Sequence, residues 1–270
     1  MSITEDFKSQ LYELIEQNKD ESNNKVFELL KPYKDQLYEI LYRDGESLLH
    51  WACAFDNVPI CKYLVENGFH VNLNNYRGTS PFYYACMNNA NNSVLFMISV
   101  NVNPFQRSGF SGEFPIDRLV DDDVITKLTK YSAEKFPILE FEDDKLRVVS
   151  NNRILTYKYR LYMNILSNAF YLYNPHKYTL QGWEVDDNTQ QLYDKGGIKA
   201  LMAKCEQLYS DYFDELEKSK LPEYNNKRCL GCNTEDCKSR CGKCKLAYYC
   251  SKDCQKKTHK FHTFDCNVPK

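Results

Sequence analysis

The stretch Ser47-Leu48-Leu49-His50-Trp51-Ala52 returns 33 residues later as Ser80-Pro81-Phe82-Tyr83-Tyr84-Ala85, and Gly45 returns with it as Gly78. Self-similarity at a period of about 20 to 50 residues marks a stacked array, in which a unit buries its apolar face only against its neighbours. Within a unit the order is a turn glycine, a short apolar helix beginning at a serine, and a second helix predicted over Val58 to Glu66. Gly68 then suits a left-handed helix cap, and Val71-Asn72 leads to the next turn. A third, worn unit follows as Gly112-Glu113-Phe114-Pro115-Ile116-Asp117, at an offset of 34 from the second. Upstream, Ser9 to Glu16 and Asn24 to Leu30 read as two amphipathic helices, apolar at Leu11, Leu14 and Ile15 and at Val26, Leu29 and Leu30. They predict a cap with a polar outer face, which an array needs for solubility.

The period of 33 and the serine-led helix start resemble the ankyrin repeat, whose helices begin with a TPLH-like sequence. The resemblance implies an all-helical solenoid that recognises proteins through its hairpin tips and first helices. The matching tips are Leu41 to Asp44, Asn74 to Arg77 and Phe105 to Ser108, and they nominate Tyr42, Tyr76, Arg77, Phe105 and Arg107 as partner-binding residues. Aromatic and arginine side chains of this kind are enriched at binding hot spots. Phe105 has a second reading, packing beneath the next repeat. His50 reads as a hydrogen bonder at a helix start, and Cys53, Cys61 and Cys86 as packing residues.

The whole chain has 270 residues, a net charge of −2 and 12 cysteines. Such a charge gives no field that would draw the molecule to nucleic acid or an anionic membrane. The start, MSITEDFK, carries acids where a signal peptide has a basic segment and an apolar run, and no apolar stretch approaches the ~18 residues of a spanning helix. An intracellular protein, cytoplasmic or nuclear, is expected. Eight cysteines fall between Cys229 and Cys266. In a reducing compartment, cysteines in paired spacing point to metal rather than to disulfides.

That segment reads CLGCNTEDCKSRCGKCKLAYYCSKDCQKKTHKFHTFDC, with Cys229-x2-Cys232, Cys241-x2-Cys244, Cys250-x3-Cys254 and His262-x3-Cys266 as four ligand couples. Two intervening residues let one turn present both thiols, and three place both ligands on one face of a helical turn. Four couples make two tetrahedral sites with no position left for water, which predicts two structural zinc ions. Fewer than about 40 residues cannot bury a core, so metal binding must drive folding of the segment. Cys237 reads as a loop thiol, with replacement of a neighbouring ligand as the alternative.

Six cysteines followed by His262 and Cys266, together with AYYCSKDCQ, resemble the MYND zinc finger. The resemblance implies interleaved pairing, with Cys229, Cys232, Cys250 and Cys254 on one ion and Cys241, Cys244, His262 and Cys266 on the other; spacing alone also allows sequential pairing. It further implies a peptide groove near Ser251, Gln255 and His259, although His259 stands where the family has tryptophan. Nine Lys/Arg against four Asp/Glu, with seven thiolates and two Zn²⁺, leave the finger near +2. That field is weak for a phosphate-tracking surface, so protein or peptide partners are expected rather than nucleic acid.

From Tyr131 to Arg228 no catalytic motif appears. Helices are predicted over Ile154 to Tyr173, stopped by Asn174-Pro175, and on a stripe of Ile198, Leu201, Met202, Cys205, Leu208 and Tyr212. They are expected to pack on each other and on the last repeat, with acidic runs such as Glu140 to Asp144 as solvated surface. The expected fold is mostly α: an array over 1–130 (cap 1–43, repeats 45–77 and 78–111, worn unit 112–130), a helical middle region over 131–228 and a finger over 229–266. The pairing of modules resembles the ankyrin repeat and MYND domain-containing proteins and implies an adaptor. A corepressor component is the alternative. A lysine methyltransferase is less favoured, since no cofactor fingerprint is found.

Overall fold

The computed structural model describes residues 3–142, 145–148, 152–173, 185–219, 229, 232, 234, 237–242 and 247–265. The predicted stop at Asn174-Pro175, Asp143-Asp144, Cys244, Cys266 and the side chains of His259 and His262 lie outside the described residues. The chain divides into two compact units: 1–136 with 163–206, and 137–162 with 207–270. The middle stretch is therefore shared between two units.

In the first unit, helices come in pairs. α1 (Glu5–Gln17) and α2 (Asp20–Leu30) form the cap, followed by α3 (Leu48–Ala54) with α4 (Val58–Glu66) and α5 (Pro81–Met87) with α6 (Asn91–Ser99). Helix α1 starts at Glu5, four residues ahead of the predicted Ser9, because the hydroxyl of Thr4 accepts the Phe7 N–H and caps it there. Asn18 in the left-handed region ends that helix, and its amide donates to the carbonyls of Phe55 and Asp56 in the next pair. The core runs through all the pairs as Leu11, Ile15, Val26, Leu30, Leu48, Leu49, Trp51, Ile60, Leu64, Phe82, Val94 and Met97. Each buried side chain of this size removes enough apolar area from water to contribute roughly 1.5 to 3 kcal/mol. Cys53, Cys61 and Cys86 are buried within it, as packing residues.

The worn unit differs from its predecessors. Its first helix shrinks to one 3₁₀ turn, Pro115–Arg118, before α7 (Asp122–Lys135), which Asp121 caps through the Val124 N–H. Helix α7 continues through residue 130 to Lys135. The helix start nevertheless repeats its chemistry. His50 Nδ1 accepts the Ser47 N–H, and the Asp117 carboxylate accepts the Phe114 N–H from the same relative position.

The rest of the first unit is the end of α8 (Arg153–Tyr173) and the start of α9 (Asp187–Ser219). Asp186 caps α9 through the Thr189 N–H and hydroxyl and accepts the Asn168 amide. The residues of α9 in this unit reach the array at two places: Lys199 pairs with Asp35, and Glu206 approaches His70. Met163 accepts a hydrogen bond from Asn103. These helices thus meet the array at several repeats, beyond the last one on which packing was expected. Gly197, at φ +60°, breaks α9 between Gly196 and the predicted stripe.

In the second unit, β1 (Leu139–Glu142) pairs antiparallel with β2 (Lys145–Val148), so Glu140 and Glu142 of the acidic run lie on a strand. Tyr159 meets Tyr212, and Tyr162 stacks on Tyr209 at 4.6 Å; the reversed numbering shows that the two helices run antiparallel here. Leu208, Tyr209, Tyr212 and Leu216 are buried along the α9 stripe. The finger closes this unit with β3 (Ser239–Arg240), β4 (Tyr248–Tyr249) and α10 (Lys252–Asp265).

Candidate metal centre and binding face

The finger brings four thiols to one point. The Sγ atoms of Cys229, Cys232, Cys250 and Cys254 all lie within 4.8 Å of one another, with Cys232 to Cys250 at 3.3 Å and Cys250 to Cys254 at 3.5 Å. Four sulfurs around zinc at ~2.3 Å sit ~3.8 Å apart along the edges of a tetrahedron, so donor set and spacing both fit that ion. Backbone contacts hold the couples in place. Cys229 donates its N–H to the Thr234 carbonyl at 2.7 Å, and a bridge joins Cys229 to Tyr248 on β4. The Ser251 hydroxyl accepts the Cys254 N–H, which starts α10 with Cys254 on its first turn. Thr234 hydrogen bonds hold the Cys232 thiol down to about 6, while the surrounding sulfurs of Cys232, Cys254 and Cys229 push Cys250 up to about 12. Four crowded thiols do not all ionise unaided, and metal uptake there must release protons.

Cys237 lies outside this cluster. Its side chain is buried beside Cys229, Cys241, Ala247 and Tyr249, and its S–H donates to the Thr234 carbonyl at 3.3 Å. Of the second predicted ligand set, Cys241 is described: it is buried and donates its N–H to the Ala247 carbonyl. Cys244, Cys266 and the His262 side chain lie outside the described residues. Ser251 and Gln255 are exposed at the start of α10.

At the other module, backbone bonds close each tip on itself and join it to the next. Tyr42, Asn75 and Ser108 donate their N–H groups to Glu46, Thr79 and Glu113 respectively, while Tyr76 donates to the Asp44 carbonyl and Gly109 to that of Gly78. Gly45, Gly78 and Gly112 all sit at positive φ, +73°, +68° and +72°, where the turn needs a glycine. Side chains repeat the link. His50 Nε2 bonds the Thr79 carbonyl, and the Tyr83 hydroxyl bonds Ser111 and Glu113. Burial holds His50 near pKa 4, so it serves as the neutral helix-start hydrogen bonder the sequence suggests.

The predicted binding residues separate at this point. Arg77 is exposed, pairs with Asp44 and lies over the Phe110 ring at 5.2 Å. Arg107 is exposed over Phe114 at 4.0 Å. Tyr42 and Tyr76 are half-buried; Tyr42 packs on Tyr12 and Trp51, and the Tyr76 ring covers Gly45. Phe105 is the correction: it is buried against Phe136 at 5.8 Å and supports the next unit from beneath. The third tip spans 108–113, later than the expected Phe105 to Ser108, and its apex carries Phe110 at 77% exposure. The sequence reading passed over Phe110, although an aromatic residue between two glycines is a signal for such an apex.

A model of ankyrin repeats in three copies matches residues 14–107, and a MYND finger model matches residues 226–266. The chain thus carries ankyrin repeats and a MYND finger. No curated protein matches it. Among the described residues no helix of this ankyrin and MYND protein is long and apolar enough to cross a membrane. Both modules are of kinds that typically bind proteins rather than catalyse reactions.

Proposed function

We propose that the chain is an adaptor in which the array over 1–130 and the finger over 229–266 engage different protein partners, within the cytoplasm or nucleus. The observation that carries this reading is the tip row, where Arg77 and Arg107 each lie over an aromatic ring and Phe110 stands in solvent. Arg and aromatic groups presented on a hydrogen-bonded frame lose little entropy when a partner arrives. The finger adds a second contact, which raises overall affinity through effective concentration. In this reading the finger carries two zinc ions, one on Cys229, Cys232, Cys250 and Cys254 and the other on Cys241, Cys244, His262 and Cys266. Zinc there supplies the cross-links that a segment with little apolar core lacks. Ser251, Gln255 and His259 line the contact, and histidine in place of a large flat ring leaves it weak for proline-rich peptides.

The test is proximity labelling in cells with the full chain, an Arg77→Ala/Phe110→Ala variant and a Cys250→Ser variant. Each variant should lose a distinct set of neighbours. If both keep the complete set, the adaptor reading is wrong.

A further inference from the structure

The finger places five cysteines near a site that needs four, and Thr234 contacts three of them through its carbonyl and its hydroxyl. The Thr234 carbonyl accepts the Cys229 N–H at 2.7 Å and the Cys237 S–H at 3.3 Å, while its hydroxyl lies 3.0 Å from Cys232 Sγ. A hydroxyl can donate to a sulfur, so this contact fixes where Cys232 Sγ stands among the four clustered sulfurs. The carbonyl engages the S–H of Cys237, whose sulfur is not one of those four. Cys237 is buried beside Cys229, Cys241, Ala247 and Tyr249. One residue thus holds two cysteines five residues apart, one inside the cluster and one beside it.

We propose that Thr234 is the residue that sorts these thiols: its hydroxyl orients Cys232 as a zinc ligand, and its carbonyl keeps Cys237 as a bound, non-ligating thiol. The proposal rests on the four-cysteine reading of the site. Thr234 is a positioning residue, since it acts on the metal through Cys232. Groups that hydrogen-bond metal ligands change metal affinity by about 10- to 100-fold when removed. Valine keeps the shape and the backbone carbonyl of threonine and deletes only the hydroxyl, whereas serine restores it.

The experiment uses the full-length, zinc-loaded chain in competition with a chromophoric chelator, and reads the chelator concentration that withdraws half of the weaker-held zinc. Thr234→Val should lose zinc at about tenfold lower chelator. Thr234→Ser should stay within twofold of the parent, and so should Cys237→Ala. Titration with Co²⁺ gives an independent readout, since Cys237→Ala should leave the sulfur-to-cobalt absorption unchanged. The proposal is overturned if Thr234→Val matches the parent, if Thr234→Ser is as weak as Thr234→Val, or if Cys237→Ala loses metal or alters the cobalt spectrum. Cys250→Ser separates the two levels of inference. Full zinc retention by Cys250→Ser overturns the four-cysteine site itself, whereas zinc loss there with an unaffected Thr234→Val overturns only the role of Thr234.

Discussion

Replacing Gly109 by alanine tests the joining of tips on which the binding face depends. Gly109 donates its N–H to the Gly78 carbonyl at 3.0 Å, and a Cβ added to it would lie 2.2 Å from the Arg77 carbonyl oxygen and 2.9 Å from the Gly78 Cα. Both obstacles are backbone, which cannot swing aside as a side chain would. The second and third tips must therefore part, at a cost of about 1 kcal/mol for the hydrogen bond and about 1 to 3 kcal/mol for the overpacking. A loss of roughly 2 to 4 kcal/mol corresponds to a fall in Tm of roughly 4 to 16 °C in a unit of this size. Gly68→Ala is the matched control. A Cβ there meets nothing within 4 Å, but φ of +82° makes alanine strained by about 1 kcal/mol. Thermal unfolding followed by circular dichroism should rank Gly109→Ala well below Gly68→Ala. Equal Tm values for the two variants would refute the reasoning, because only one of them separates the tips.

Elemental analysis of the purified chain should find two zinc ions, and one or none would sink the assignment of ligand couples. Cys250→Ser should unfold the finger while the repeats keep their cooperative transition, as read by tryptic digestion of the metal-depleted and metal-loaded protein. Trp51→Ala, which empties a buried site ringed by Tyr12 and Tyr42, should cost about 3 to 5 kcal/mol by urea unfolding. Burial holds both His50 and His70 near pKa 4, below the unfolded value near 6.5. The unfolded state thus binds more protons between those values. Stability should be fully present above about pH 6.5 and fall as pH drops towards 4, by about 3 kcal/mol per histidine. A His50→Asn variant should show a shallower slope over that window, and an unchanged slope would contradict the assignment.

The array could be read from the sequence because its signal is periodic: Ser47 and Ser80 open helices, Gly45 and Gly78 turn the chain, and the core falls where the helical spacing puts it. What lies between periodic positions was harder. Phe105 and Phe110 are both aromatic residues near one turn, and only the three-dimensional path buries the first against Phe136 and exposes the second. The Gly197 break in α9 escaped notice because the apolar stripe read from the sequence begins at Ile198, just beyond it. The strands β1 and β2 were missed because each is only four residues long. In the finger, the cysteine spacing named the couples Cys229–Cys232 and Cys250–Cys254, which the structure brings together, but Thr234 acts in part through its carbonyl, a group every residue has.

The change of offset from 33 to 34 has a physical location. The hydrogen bond that closes the tip spans four residues in the first two units, Tyr42 to Glu46 and Asn75 to Thr79, and five in the third, Ser108 to Glu113. The glycine and the helix start after it keep their mutual spacing, since Gly45 precedes Ser47 as Gly112 precedes Phe114, by two residues. One residue was thus absorbed at the apex without shifting the phase of anything packed behind it. In an array built this way, chain length at the tips and register in the core are independent variables. The contact surface can acquire or lose reach, as it does at Phe110, while the stacking of helices keeps its frame.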